Sequence, residues 1–339
     1  MVRTKSDGGS RRDRGTGWRW TVGGLRALVA VLGAVAILAG RPDAAGAGEP
    51  VLKVVASFSI IADMARQVGG ARVDVVSLVP AGSDAHVFRP SPAEAEALRR
   101  ADVVLVNGLG FEGYMGRLVA AAGGRASPVV VSEGVQVLLA GERCAGAVPC
   151  DDAPAPFGTV VAKATDPHAW QDPQNGVVYV GNIARAFCEA DRAGCPDYKA
   201  AAARYIGEIE ALDGELRAAF ARLPADRRTI VTSHDAFGYL GRAYGLHVLA
   251  AEGLGTESEP TAQTVARLVR LIRNHKGVAM FGETASDPRL MAAIAAGTGA
   301  TVGGVLHADT LDAPGGAADS YLAMMRGNAA LILTALGAR

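Results

Sequence analysis

The stretch Val51–Arg100, VLKVVASFSIIADMARQVGGARVDVVSLVPAGSDAHVFRPSPAEAEALRR, carries the pattern that decides the fold. It opens on an apolar, valine-rich run, Val51–Ser57, too short for a stable helix, which predicts a strand. A short helix over Ile60–Val68 follows, then a second strand over Val73–Val79 and the loop Pro80–Pro92. Ser91-Pro92 opens a helix over Ala93–Arg100, with Pro in the first turn, where its missing N–H costs nothing. Strands that are apolar throughout and alternate with helices belong to a parallel sheet covered on both faces. Working outward, Ala101–Val106 and Pro128–Val131 read as two more strands of the same sheet.

Farther along, Cys144–Thr165 is irregular and rich in Ala, Gly and Pro. Pro196–Leu223 then reads as one long helix, with Tyr205, Ile209, Leu212, Leu216, Phe220 and Leu223 at helical spacing. Its ~28 residues correspond to about 40 Å at the usual rise per residue. After it the rhythm restarts: strands at Thr229–Thr232, His247–Ala250, Val278–Phe281 and Thr301–Leu306 alternate with helices at Phe237–Tyr244, Thr261–Asn274, Pro288–Gly297 and Tyr321–Leu336. The expected fold is therefore α/β, two Rossmann-like βα lobes (residues 48–195 and 224–339) joined by one long bridging helix over 196–223.

A chain of 339 residues suits two such domains. Half of it is hydrophobic and 20% is charged, which excludes a disordered chain. With aromatics at 5% and 43 glycines, the core has to be built from Ala, Val and Leu. Lys+Arg and Asp+Glu both total 34, but the balance hides a split. Residues 1–47 hold eight basic and three acidic residues, net +5, so the remaining 292 carry 26 basic and 31 acidic, net −5. A mildly acidic body has no electrostatic reason to seek DNA or anionic lipid.

The basic start leads into Leu25–Ala39, LRALVAVLGAVAILA, and then into Ala45-Gly46-Ala47, a small-x-small pattern. Charge, apolar run and cleavage pattern in that order predict a secretory signal peptide cut near Ala47, hence a periplasmic mature protein. Read as an uncleaved anchor, the 15-residue run falls short of the ~20 residues a membrane-spanning helix needs. Ser10-Arg11-Arg12 suggests twin-arginine export only weakly, because Asp13, Arg14 and Gly15 follow it. No Cys stands close behind the apolar run to suggest a lipid anchor. The four cysteines fall into two near pairs, Cys144 with Cys150 and Cys188 with Cys195. In an oxidising compartment these read as two local disulfides, the alternative being a four-thiolate zinc site, although C-x2-C spacing is missing.

One motif points elsewhere. Gly108-Leu109-Gly110-Phe111-Glu112-Gly113 fits the G-x-G-x-x-G of dinucleotide sites, with Glu133 twenty residues on as the ribose-binding acid. It does not lie in the first βα unit, and an exported protein meets no nicotinamide pool. A tight strand-to-helix turn is the expected reading, with no nucleotide cofactor.

The chemistry rests on histidines. His86 lies in PAGSDAHVFRP after a strand, His168 in TDPHAWQDP between two Asp-Pro turns, and His234 in TIVTSHDAFGYL where a strand meets a helix. In open α/β sheets ligands collect at the carboxyl ends of strands, where loops aim side chains inward. The loop VLHADTLDAPG adds Asp309, with His307 as a reserve candidate. Two ligands from each lobe, three imidazoles and a carboxylate, form a four-coordinate set suited to Zn2+ and, less selectively, Mn2+ or Fe2+. His247 and His275 read as core-edge and surface residues. Asp84, Asp166, Asp172 and Glu283 are candidate acceptors for the imidazole N–H groups.

At these residues the chain resembles the metal-receptor solute-binding proteins of zinc and manganese ABC importers. The resemblance spans nearly the whole mature chain and rests on five motifs in order: PAGSDAHVFRPSP, VNGLGFEGYM, TDPHAWQDP, VTSHDAFGYLGRAYGL and LHADTLDAPGGAADSYLAMMRGN. It implies a two-lobed fold with a rigid bridging helix, one metal in the interlobe cleft held by His86, His168, His234 and Asp309, and a permease with its ATPase as partners. It also implies that N-G-L-G-x-E binds no nucleotide. The manganese-type branch usually has Glu as third ligand where this chain has His234. Many zinc-type members carry a His-rich loop, but Gly141–Thr165 holds no His. Ala85 stands where Pro is common. Nitrogen donors favour zinc, so Zn2+ ranks ahead of Mn2+. The expected protein is a monomeric receptor without catalytic residues. The rival readings are a secreted zinc hydrolase with Glu283 as base, or an adhesin or metal chaperone on the same scaffold.

Overall fold

The computed structural model describes residues 51–139, 165–257, 260–274 and 277–337. The leader 1–47, the Cys144–Cys150 pair, the irregular segment up to residue 164 and His275 lie outside them. Among the described residues, β1 (Leu52–Phe58), α1 (Ser59–Gly69), β2 (Val73–Val79), α2 (Pro92–Arg100), β3 (Val103–Val106), α3 (Met115–Ala122) and β4 (Pro128–Val130) form the first lobe. After α4 (Pro173–Ala190) and α5 (Cys195–Ala221) the second lobe runs through β5 (Thr229–Thr232), α6 (Gly238–Tyr244), β6 (His247–Ala250) and α7 (Ala262–Asn274). It continues with β7 (Val278–Glu283), α8 (Pro288–Thr298), β8 (Val302–Leu306) and α9 (Tyr321–Ala335).

Both sheets are parallel and share one order, β2-β1-β3-β4 and β6-β5-β7-β8. In the first, Val54 pairs with Val75 on one side and Val103 on the other. Chain connections therefore diverge between β1 and β3, and again between β5 and β7, which opens a crevice at the strand ends. The helices start where local chemistry satisfies their first N–H groups. Ser91 Oγ accepts from Ala93 N at 3.2 Å while the Glu94 carboxylate accepts from Ser91 N at 2.7 Å, a capping box at α2. Asp172 caps α4 by accepting from Gln174 N, and Ser320 caps α9 by accepting from Ala323 N.

The sequence reading has no helix over Pro173–Ala190, yet α4 is 18 residues long. Gly176, Val177, Val178 and Gly181 are poor helix formers. Packing decides instead, because Tyr179, Val180, Ile183, Ala186 and Phe187 bury one face. A disulfide between Cys188 and Cys195 ties α4 to α5. The long helix is 27 residues, and it packs on α4 and α1 as well as on α9 and α6. Within it Asp213 is buried but fully engaged: it accepts from Gln174 Nε2 at 2.7 Å, Arg217 Nε at 2.9 Å and Tyr244 Oη at 3.0 Å. A buried charge needs that many partners to be tolerated.

The principal core runs without a break from Leu52 in the first lobe to Leu336 in the second. Among the described residues, a small cluster around Val231, Leu268, Met280 and Ile294, under α7 and α8, stands apart from it.

Candidate metal centre

Each site residue is fixed by its own turn. His86 leaves the loop after β2, its backbone N–H donating to Asp84 Oδ1 at 2.8 Å. The other Asp84 oxygen accepts from Thr256 Oγ1 of the second lobe at 2.7 Å. His168 sits in the turn that precedes α4, where buried Asp166 accepts from its backbone N–H at 3.0 Å and from its ring Nδ1 at 2.8 Å. His234 follows β5, and Glu283 at the end of β7 accepts from its backbone N–H at 3.0 Å and from its Nδ1. The Asp309 loop follows β8 and is gripped by the first lobe. Trp170 Nε1 and Gln171 Nε2 donate to Ala308 O at 2.9 and 2.8 Å, and Leu311 N donates to Ser59 Oγ at 3.0 Å.

The four side chains meet, with their ligand-type atoms all within 4.8 Å of one another. His86 Nε2 and His234 Nε2 approach Asp309 Oδ2 at 3.2 and 3.1 Å, and His168 Nε2 stands 3.6 Å from Asp309 Oδ1 and 3.4 Å from His86 Nε2. His234 Nε2 and Asp309 Oδ1 are buried without a hydrogen-bond partner. For His168 and His234 the Nδ1–H is committed to a carboxylate, so the Nε2 lone pair is left for whatever occupies the centre. Burial lowers the proton affinity of all three rings. His168 stays lowered, but Asp309 reverses the effect at His86, and Glu283 with Asp309 reverses it strongly at His234. Burial also raises the Asp309 carboxyl, yet the charges of His234 and His168 hold it well below the usual carboxylate range. The cluster is a preformed knot of nitrogen and oxygen donors whose chemistry fits a divalent cation.

The glycine-rich motif has another job. Gly108 has a φ of +80°, and a Cβ there would come within 2.6 Å of Val130 Cγ1, so the turn requires glycine. Glu112 fills the turn, accepting from the backbone N–H groups of Asn107 and Gly108 and from Ser57 Oγ. Those are the donors a bound phosphate would use, and Glu133 instead pairs with Arg185. The same loop delivers Phe111, whose ring packs edge-on against His86, with centroids 5.0 Å apart, and against Trp170.

Among the other candidates, His307 points away to Asp312 at 2.9 Å, and His247 lies in β6 outside the cluster. Of the four carboxylates read as imidazole supports, Asp166 and Glu283 hold rings. Asp84 holds the His86 backbone and Asp172 caps α4. Sequence reasoning missed Tyr239, whose hydroxyl donates to Asp166 O at 2.9 Å and accepts from Leu138 N at 3.0 Å. It also missed the indole of Trp170, although that residue stands inside TDPHAWQDP, two places after His168.

Loops from two sheets closing on one buried point, over an undivided core, define a two-lobed solute-binding protein. Residues 54–335 match the family described as ZnuA, zinc-uptake complex component A, periplasmic, and the chain belongs to that family of ABC metal-importer receptors. The manganese ABC transporter substrate-binding lipoprotein PsaA of Streptococcus anginosus is 30% identical over 89% of this chain and 94% of its own length. The iron ABC transporter substrate-binding lipoprotein MtsA of Streptococcus pyogenes serotype M1 is 31% identical over 82% and 86%. Among solved structures, the periplasmic zinc binding protein TroA of Treponema pallidum superposes with a TM-score of 0.74 at 28% identity, covering 86% of this chain and all of that one. These relatives are receptors, and the chain is a binding protein, not an enzyme.

Proposed function

We propose that this chain captures one divalent cation outside the cytoplasmic membrane, Zn2+ in preference to Mn2+, and hands it to an ABC permease driven by its ATPase. His86, His168, His234 and Asp309 are the ligands in this reading. What carries it is the convergence of three Nε2 atoms and one carboxylate within 4.8 Å, with His234 Nε2 and Asp309 Oδ1 buried and unpartnered. Three imidazoles and one carboxylate suit tetrahedral zinc, and manganese favours a harder oxygen at the third place. The relatives named above carry manganese, iron or zinc in their names, so donor chemistry supports the ranking. Residues 1–47 act as a cleaved leader, and 48–195 and 224–339 are lobes on the helix 196–223. A hydrolytic role fits poorly, because Asp309 takes the fourth position and Glu283 is committed to His234.

Dialysis of the purified protein against equal zinc and manganese, followed by elemental analysis, tests this directly. One zinc per chain, lost or greatly weakened in His234→Ala, is the expected result. One manganese instead overturns the metal ranking, and no bound metal overturns the ligand set.

A further inference from the structure

Two openings flank the cluster. On the His86 side lies a groove of about 550 Å3, walled by Phe88, Phe111, Tyr114 and Leu254 together with Arg117 and Glu257. On the other side is a cavity of about 10 Å3, space for roughly one water, touching His234 and Asp309 themselves. Five hydroxyl-bearing residues line it, Thr256 and Thr310 among them, together with Asp84. A cation approaching a buried site sheds its water shell and needs oxygens to replace it at each step. The small cavity supplies these. Of the four cluster residues the large groove reaches His86 alone, and there Phe111 packs edge-on against the rings of His86 and His168.

The small cavity is also barred. Thr256 Oγ1 of the second lobe donates to Asp84 Oδ2 of the first at 2.7 Å, and both residues are in its wall. Through its other oxygen Asp84 holds the backbone of His86. This hydrogen bond links the two lobes at the throat, as does the one Gly82 N donates to Thr310 Oγ1 at 2.8 Å, but it is the one coupled through Asp84 to the loop that carries a candidate ligand.

We propose that the cation enters and leaves through this hydroxyl-lined throat, and that the Thr256–Asp84 hydrogen bond is the bar that opens for each passage. The inference rests on the metal-receptor reading above. The bar needs no contact with the cation, so it acts on the rate of passage and not on the strength of binding. Thr256→Val keeps the side-chain shape and removes the donor, while Thr256→Ser keeps the donor.

Stopped-flow capture of Zn2+ and its release to a fluorescent chelator read both directions. In Thr256→Val, capture and release should each accelerate by about ten- to a hundredfold, the range set by one hydrogen bond to a carboxylate, with Kd changed less than about twofold. Thr256→Ser should restore the parent rates, and Phe88→Ala in the wide groove should leave them alone. Unchanged rates in Thr256→Val overturn the proposal. So does faster release with unaltered capture, which marks a residue that merely supports the His86 loop. Parallel acceleration in Phe88→Ala overturns it by placing the route in the groove. A parent protein that binds no Zn2+ removes the receptor reading itself, a result distinct from any of these.

Discussion

His234 shows how strongly a single position is held. Its backbone N–H and its Nδ1 both reach Glu283, and its Nε2 faces Asp309. Glu283→Gln keeps an acceptor of the same shape and removes the charge that makes the imidazole a strong donor. Zinc affinity should fall about 10- to 100-fold with the fold intact, as for other carboxylates behind a ligand histidine; unchanged affinity in a chelator competition excludes that role. The charges that orient the rings also retain protons. His86 and His234 hold theirs more tightly than a free imidazole, which titrates at ~6.5, because Asp309, joined by Glu283 at His234, outweighs burial. The metal must displace those protons, so affinity should climb as pH rises past that value and drop on acidification. Competition titrations between about pH 6 and 8.5 check this, and a flat profile would refute it.

At the scale of elements, the strands were legible because β-branched runs alternate with helices, and β2, β6 and the flanks of α5 lie close to where their patterns put them. The metal-type cluster was legible through three loop histidines and Asp309, each just past a strand or a turn. Helix α4 was not, because its glycines and valines give a weak local signal and its form comes from packing on α5 and α1. Tyr239 was equally hidden: nothing in GYLGRAY says that its hydroxyl joins α6 to the Asp166 turn and to Leu138. Tyr239→Phe strands a buried donor and a buried acceptor, so thermal or urea unfolding should register a loss of about 1–3 kcal/mol. No loss would mean that water replaces the hydroxyl. The Cys188–Cys195 bond closes a short loop between α4 and α5 and should contribute about 2 kcal/mol. Reduction should lower the melting temperature by several degrees and leave zinc stoichiometry intact; loss of metal on reduction would instead tie that loop to the site.

Across the whole molecule, one core continues from lobe to lobe, and α9 returns from the second lobe to pack on α1 and α5. Tyr321 marks that return: its backbone N–H donates to Asp63 Oδ2 at 2.9 Å and its hydroxyl to Trp170 O at 2.8 Å. Calorimetry should therefore record one cooperative transition, raised by zinc through mass action, about 2.7 kcal/mol at a hundredfold excess over Kd. Two resolved transitions would show that the lobes melt separately. The shared core also limits how a filled molecule can differ from an empty one. If the lobes keep that core, filled and empty forms would differ little in outline, and occupancy would be written as the stiffness of the loops round the cluster, such as the Asp309 loop that Trp170, Gln171 and Ser59 already grip. A membrane partner that must accept one form and ignore the other would then feel for a loop that no longer yields, and would not gauge the span between lobes.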